Sequence, residues 1–238
     1  MKRRTVGALL GILWSAPALP AQAPAEDRRT AEAVTHAMMH GEHDAMAQRH
    51  LLLSTTREAT SAASARAAQL LAAIRRDLAK YRDVAAARAD GYEQFLPNVP
   101  QPIYHFTNWL SGFSEAFGFD PAHPTSLLYR KNADGGFTLT GVMYTAPRWL
   151  DEAALDERIP LGIAHWHQHV DWCLPPRNQP GRWLDSKDGH PLFGPESPIA
   201  TQEDCTKAGG RFVPHLFGWM VHVNAFDSDD PRVIWGEH

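Results

Sequence analysis

A sharp change in composition near residue 97 constrains the fold of this 238-residue chain more than any other feature. Residues 26–96 contain no proline and no tryptophan, and 18 of them are alanine. Residues 97–238 contain 15 prolines and seven tryptophans. Alanine favours helices and proline interrupts them. We therefore predict an α+β protein, with a helical segment over 26–96 followed by an antiparallel β-rich domain over 97–238.

The helical segment carries its own start, stop and packing signals. Four apolar residues recur at helical spacing and predict one buried stripe: Leu71, Ile74, Leu78 and Tyr81. Residues 55–58 match a capping box, and Gly91 is placed to end a helix. The pattern predicts either two helices, over about 28–53 and 55–90, packed as a hairpin, or one long helix interrupted near Gly41.

The β-rich domain contains five runs typical of strands. They span residues 103–107, 126–131, 137–145, 163–173 and 219–226. The sequence Asn-Ala-Asp-Gly-Gly at 132–136 predicts the turn of a hairpin between the second and third runs. Short helices are expected at 150–157 and at 201–208.

The first 25 residues have the composition of a secretory signal peptide. Lys2, Arg3 and Arg4 form a basic start, residues 6–16 are apolar, and small residues allow cleavage after Ala25. The apolar run is too short for a membrane span, and no other run approaches that length. We expect an exported protein, periplasmic or extracellular, without a membrane span. Cleavage removes three positive charges and no acidic residue, so the net charge changes from −4 to −7.

The expected export and the net charge of the chain each restrict its chemistry. Cys173 and Cys205 are the two cysteines of the chain, and a pair in an oxidising compartment predicts a disulfide. A chain with this negative net charge does not show the basic surface that nucleic-acid binding requires, so we expect no nucleic-acid partner.

Histidine is enriched, with 13 copies, and the strongest local pattern lies at residues 165–173. Side chains alternate between the two faces of a strand, so His165, His167, His169 and Asp171 are expected to project together. Neutral imidazole is a good ligand for copper, zinc, iron and nickel. The alternative to metal binding is a polar sheet face on which the histidines are solvated.

Two further histidines lie in other predicted strands. His105 and His222 each alternate with apolar neighbours, which suits either a metal ligand or a core histidine. Three strands could therefore bring imidazoles to one mononuclear site, and Met143 could add a thioether, which would favour copper. The predicted ligand set is His105, His167, His169 and His222, with His165, Met143 and Asp171 as possible additions.

The metal is expected to be one transition-metal ion, copper or zinc. An open coordination position would allow metal-dependent hydrolysis or oxidation. His165 or Asp171 would then orient a ligand or act as general base.

Two other interpretations stay open. The helical segment places histidines and methionines at helical spacings, which suggests a non-catalytic copper- or nickel-handling helix: His36, Met38, His40, His43, Met46 and His50. The alternative is an amphipathic helix in which Met38 and Met46 pack while the histidines face water. Alternatively, aromatic side chains line a groove for a small molecule, with no metal: Trp109, Trp166, Trp172 and Trp219.

An ordered set of short motifs spans residues 91–226. They are Gly91-Tyr92, Tyr104-His105-Phe106-x-Asn108, Asp120-Pro121-x-x-Pro124-x-x-Leu127-Leu128-Tyr129, Gly136-x-x-Leu139-x-Gly141-Val142-x-Tyr144, and the late His222. In their order and spacing the chain resembles a broad group of exported, uncharacterised bacterial proteins. The resemblance implies that His105 and His222 matter and implies no particular reaction. An acid commonly occupies the position of Met143 in that group, and this departure bears on which metal is bound.

Overall fold

The computed structural model describes residues 47–95, 97 and 101–236. The predicted signal peptide and the histidines at 36, 40 and 43 lie outside these residues. Ten strands are present in the described part of the chain: β1 (Leu51–Leu53), β2 (Glu93–Gln94), β3 (Tyr104–Thr107), β4 (Ser126–Lys131), β5 (Phe137–Ala146), β6 (His167–Leu174), β7 (Ser186–Lys187), β8 (His190–Pro191), β9 (Arg211–His215) and β10 (Trp219–Val223).

The helices are short apart from the first. They are α1 (Ser61–Asp77), α2 (Val84–Ala89), α3 (Trp109–Ser114), α4 (Glu152–Arg158), α5 (Gln202–Lys207) and α6 (Pro231–Trp235), with 3₁₀ turns at Ala47–His50, Ala79–Arg82 and Pro180–Leu184. The strands form an antiparallel eight-stranded sheet of order β1-β6-β10-β5-β4-β3-β2, in which β9 pairs with β6. The α+β class is confirmed, and so is the hairpin turn at 132–136, where Asn132 N–H bonds the Gly136 carbonyl.

The start of the helical segment differs from the prediction. The predicted helix over 28–53 is wrong at its end, because Leu51–Leu53 form an edge strand paired with β6. The helix predicted from residue 55 begins at Ser61, because Thr60 rather than Thr55 caps its first turn. Thr55 instead donates its backbone N–H to the carboxylate of Glu152. Residues 51–53 are extended because their backbone pairs with one edge of β6.

The two faces of the sheet have different surroundings. Helices α1 and α2 cover one face, and the predicted stripe packs there against the side chains of the central strands. Ile74, Leu78 and Tyr81 are buried, and Leu71 is partly buried. Gly91, with φ 87°, ends α2 in the left-handed region that glycine tolerates. The alternate residues of the same strands point to the opposite face, which we call the histidine face.

Three buried tyrosine hydroxyls tie the covered face to neighbouring backbone. Tyr129 Oη donates to the Tyr81 carbonyl at 2.6 Å, Tyr144 Oη to that of Pro121 at 2.8 Å, and Tyr92 Oη to that of Pro124 at 3.1 Å. A buried hydroxyl without a partner would cost about 1–3 kcal/mol. These bonds hold the long connection between β3 and β4 and the helical layer against the sheet.

Gly141 lies in β5 where β10 ends. A Cβ atom at this position would come within 2.4 Å of the Val223 carbonyl oxygen and 3.0 Å of the Asn224 Cα. Both contacts are to backbone, so a larger residue could be accommodated only by moving one strand. The missing side chain therefore allows β10 to approach β5 closely at this point.

The predicted disulfide is present. Cys173, near the end of β6, bonds Cys205 in α5, and both are fully buried. The loop that it closes spans 32 residues, for which chain-entropy arguments give about 3–4 kcal/mol of stabilisation. Within the described residues, no helix is long and apolar enough to cross a membrane.

Candidate functional site

The strand registers place all four predicted ligands on the histidine face. His167 lies opposite Met220, and His222 lies opposite Met143, so both pairs share this face. Leu128 lies opposite His105 in the adjacent β3–β4 pair. His169 follows His167 by two residues in β6 and therefore points the same way.

The four imidazoles form a continuous row, which we call the histidine row, in the order His105, His222, His167, His169. Ring centroids are 5.7 Å apart for His105 and His222, and 5.4 Å apart for His222 and His167. The rings of His167 and His169 are also separated by 5.4 Å. At its far end the row touches the indole of Trp172, 5.7 Å from His169. Each ring therefore has a neighbouring imidazole, and His222 and His167 each have one on either side.

The contact between His105 and His222 shows that the sheet is curled. Three strand spacings separate β3 from β10, which would be about 14 Å in a flat sheet. Their rings are nevertheless 5.7 Å apart. The histidine face is therefore concave, and side chains from distant strands lean together across it.

All four histidines of the row are buried, with at most 6% of any residue exposed. The Nε2 atom of His105 has no hydrogen-bond partner. Burial lowers the pKa of His105 to about 4, because the charged form would lose its hydration. At neutral pH the ring is uncharged, the state in which imidazole can bind a metal ion.

Two thioethers lie beside the row. Met143 and Met220 are buried and pack together with Leu128. Met143 was a predicted addition to the site, whereas Met220 was missed as a candidate, although its place two residues before His222 puts it on the same face. Soft thioether sulfur with imidazole is a donor combination that suits copper.

The row is extended. Across residues 47–95, 97 and 101–236, no three His, Cys, Asp or Glu side chains are grouped so that they could hold one metal ion. The neighbouring rings approach each other in pairs along the face, and a common ligand sphere would require the outer side chains to rotate toward His222.

His165 and Asp171, the possible additions to the predicted site from this segment, lie outside the regular alternation of β6. β6 begins at His167, so His165 lies in the connection before it, where its side chain is half-buried. Asp171 has φ 57°, which breaks the alternation of the strand. β6 pairs with β1 as far as His169 and with β9 from Val170 onward, and the ring of Trp172 contacts that of His169.

His50 is the described member of the N-terminal Met/His stretch, and its role is structural. Its Nε2 lies 2.8 Å from the Ser197 carbonyl oxygen and its Nδ1 3.3 Å from that of Val170. The ring is buried and connects the 3₁₀ turn before β1 to two other segments. It is therefore not part of a solvent-facing stripe for capturing metal.

The predicted aromatic groove is largely absent. Trp166 and Trp219 belong to the core of the covered face, and Trp172 belongs to a smaller cluster beneath β9. Trp109 alone of the four lines a cavity on the histidine face. This cavity has a volume of about 650 Å³, and its walls include His105, Met143 and Met220.

A buried carboxyl group behind the cavity wall was missed in the sequence. Glu115, directly after α3, accepts hydrogen bonds from the hydroxyls of Thr125 and Thr145, both of which line the cavity. Its Oε1 atom has no hydrogen-bond partner. Burial raises the pKa of Glu115 to about 7, and the threonine hydrogen bonds oppose this only in part. Arg158, a half-buried cation whose charge interacts with that of Glu115, donates to the Thr145 carbonyl.

A signal for Glu115 does exist in the sequence. It is a lone acidic residue between Phe113 and Phe119, in a segment otherwise made of aromatic and small residues. An acid in such a setting is either exposed on a polar face or buried with partners. The side chains of Phe113 and Phe117 are exposed, whereas Glu115 is buried, so its carboxylate lies on the inner side of the turn.

Comparisons of the chain with protein-family models, with curated proteins and with solved structures find no match. The interpretation of the site therefore depends on its own geometry.

Proposed function

We propose that this protein is an exported metal-binding protein that holds one transition-metal ion, copper or zinc, in the histidine row. The observation that carries the proposal is the position of His222 between His105 and His167, with ring neighbours at 5.7 and 5.4 Å. His169 is the fourth nitrogen donor, and Met143 lies directly opposite His222.

The ring separations support metal binding on simple geometric grounds. Two imidazoles that bind one ion through bonds of about 2.0–2.1 Å at a tetrahedral angle hold their ring centroids about 5.3 Å apart. Both neighbours of His222 already lie close to this separation. A three-ligand site would require the rings of His105 and His167 to rotate toward a point beside His222.

Copper is the preferred ion within this proposal. The donors available at the row are imidazole nitrogen and thioether sulfur, and divalent copper binds nitrogen donors more tightly than zinc does. Two methionines beside the row would also retain copper in its reduced state. The disulfide fits an oxidising compartment, where such an ion would be encountered.

Catalysis would require a molecule to reach the ion. His105 and Met143 line the cavity, so an ion at the His105 end of the row would be accessible from it. Hydrolysis of a bound substrate or its oxidation are the two reaction classes open to such an ion.

The test is metal content and affinity in matched histidine variants. Purified protein loaded with copper or zinc and dialysed is expected to retain one ion per chain. Substitutions that disturb only the surroundings of a metal ligand already cost about 10–100-fold in affinity, so His222→Ala and His167→Ala should each weaken binding at least tenfold.

His190→Ala supplies the control, because His190 is exposed in β8, outside the sheet that carries the row. Its affinity should equal that of the unmodified chain. Full metal content and unchanged affinity in both His222→Ala and His167→Ala would refute the proposal.

A further inference from the structure

The cavity on the histidine face has the size of a small-molecule site. Its volume of about 650 Å³ falls within the range of about 300–1,000 Å³ usual for ligand pockets. α3 forms one wall, residues 146–149 after β5 form another, and residues 215–218 between β9 and β10 form a third. The floor is the concave sheet itself.

The mouth of the cavity is aromatic. Trp109 and Phe113 of α3 are each 68% exposed, Trp149 is 77% exposed, and Phe217 is 39% exposed, and all four line the cavity. Single exposed apolar side chains are common, but a contiguous group marks a surface that binds something. Here three separate segments bring aromatic rings to one opening.

The floor of the cavity is polar. Thr107, Ser126, Thr145 and His105 point into it from three strands. The hydroxyls of Thr107 and Ser126 form a hydrogen bond of 2.9 Å with each other, and the hydroxyl of Thr145 donates a hydrogen bond to Glu115. His105 Nε2 is buried and has no partner, so it is the polar atom of the floor that is ready for a ligand.

Charge restricts the ligand further. Of the described residues that line the cavity, Arg148 alone has a permanent charge, and its side chain is exposed at the rim. The floor itself offers hydroxyls and a neutral ring. A charged group buried there would lose its hydration without gaining a counterion, which is costly.

We infer that the cavity binds a neutral amphipathic molecule, with an aromatic body held by Trp109, Phe113 and Trp149 and a hydroxyl end that reaches His105. This site goes beyond the proposed metal binding and does not require it, because the aromatic mouth and the polar floor are present without an ion. If the histidine row holds a metal through His105, the hydroxyl end would lie next to the ion instead of bonding His105 Nε2.

Two exposed phenylalanines provide a matched pair of variants. Phe113 lines the cavity, whereas Phe117 does not, although it is 79% exposed and its ring contacts that of Phe113 at 5.1 Å. Equilibrium dialysis with 2-naphthol, a neutral hydroxylated aromatic compound, should show saturable binding to the full chain. Phe113→Ala should weaken this binding about fivefold or more, and Phe117→Ala should leave it within about twofold, since one aromatic contact contributes about 1 kcal/mol.

The charged analogue 2-naphthoate tests the polarity of the floor and should bind at least about tenfold more weakly than 2-naphthol, because of the desolvation cost. The experiment is repeated with His222→Ala, which leaves the cavity walls intact. Retained 2-naphthol binding in that variant would show that the cavity binds its ligand whether or not the metal proposal holds. Non-saturable binding, equal losses in both phenylalanine variants, or equal affinity for 2-naphthoate would each overturn the inference.

Discussion

The two faces of the central sheet are built from alternate residues of the same strands, yet they leave different polar atoms unpaired. On the face covered by α1 and α2, the tyrosine hydroxyls donate to backbone carbonyls, and the unpaired polar atoms include the indole nitrogens of Trp166 and Trp219. On the histidine face, the unpaired atoms include His105 Nε2 and Glu115 Oε1.

The two faces differ in the kind of polar atom left unpaired rather than in the number of such atoms. An indole N–H can only donate a hydrogen bond, and it sits at the edge of a large apolar ring that packs well. An imidazole nitrogen or a carboxylate oxygen can bind a metal, accept a proton or accept a ligand's hydrogen bond. The comparison indicates that the covered face stabilises the fold, whereas the histidine face retains chemistry that the fold itself does not use.

The largest expected effect is on the covered face. Trp166 is fully buried in its core, so Trp166→Ala should lower the free energy of unfolding by about 3–5 kcal/mol. On the histidine face, Met143→Leu keeps volume and apolarity and should cost less than about 1.5 kcal/mol. Urea unfolding measures both. A loss from Met143→Leu as large as that from Trp166→Ala would show that Met143 is a structural residue of the histidine face.

A pH-dependent effect of intermediate size is expected at Glu115. Its pKa is raised from 4.5 to about 7 in the folded protein, so the folded state binds the proton more tightly than the unfolded chain does. Its contribution to stability is therefore complete below about pH 4.5 and is lost as the pH rises through 7. Glutamine cannot ionise. The stability of Glu115→Gln relative to the unmodified protein should increase by about 3 kcal/mol between pH 4.5 and about pH 8.

The comparison between variants removes the titration of other groups, including Tyr92, Tyr144 and Arg158, which lie near Glu115. Glu93→Gln, at an exposed side chain of β2, controls for the loss of one negative charge. Urea unfolding at the two pH values gives the result. A stability difference for Glu115→Gln that is the same at both would contradict the assigned burial of this carboxyl group.

The smallest effects should have opposite signs on the two faces. Tyr129→Phe removes a hydroxyl that donates to a buried carbonyl, and it should destabilise the protein by about 1 kcal/mol. His105→Leu removes a buried nitrogen that has no partner, so the metal-free protein should be unaffected or gain about 1 kcal/mol. Chemical denaturation in a chelating buffer compares them. Destabilisation by His105→Leu as large as that by Tyr129→Phe would mean that His105 is a structural residue.

Much of the sheet could be predicted because alternation is a local property. The runs at 126–131 and 137–145 match β4 and β5 closely, and the shared face of His167 and His169 follows from it directly. The failures come from non-local causes. Asp171 leaves the row because β6 changes partners there, and no residue near it signals where β9 will lie.

The candidate site was predictable in its residue types and less so in its surroundings. Each of His105, His167 and His222 could be placed on a strand face, but the curl that brings β3 toward β10 depends on the whole sheet. Glu115 was missed because α3 is shorter than two turns, which is too short for a periodic pattern. Met220 was hidden because methionine in a strand is usually a packing residue.

The absence of a side chain at Gly141 makes the width of the histidine row a property of the backbone. β10 can approach β5 only because nothing projects from position 141 toward the Val223 carbonyl, one residue from His222. Exchanging ligand side chains could change which ion is preferred, but it could not widen the space between the strands. Any atom added at position 141 would press on the strand that carries His222, so a change there would move this histidine without altering a ligand side chain.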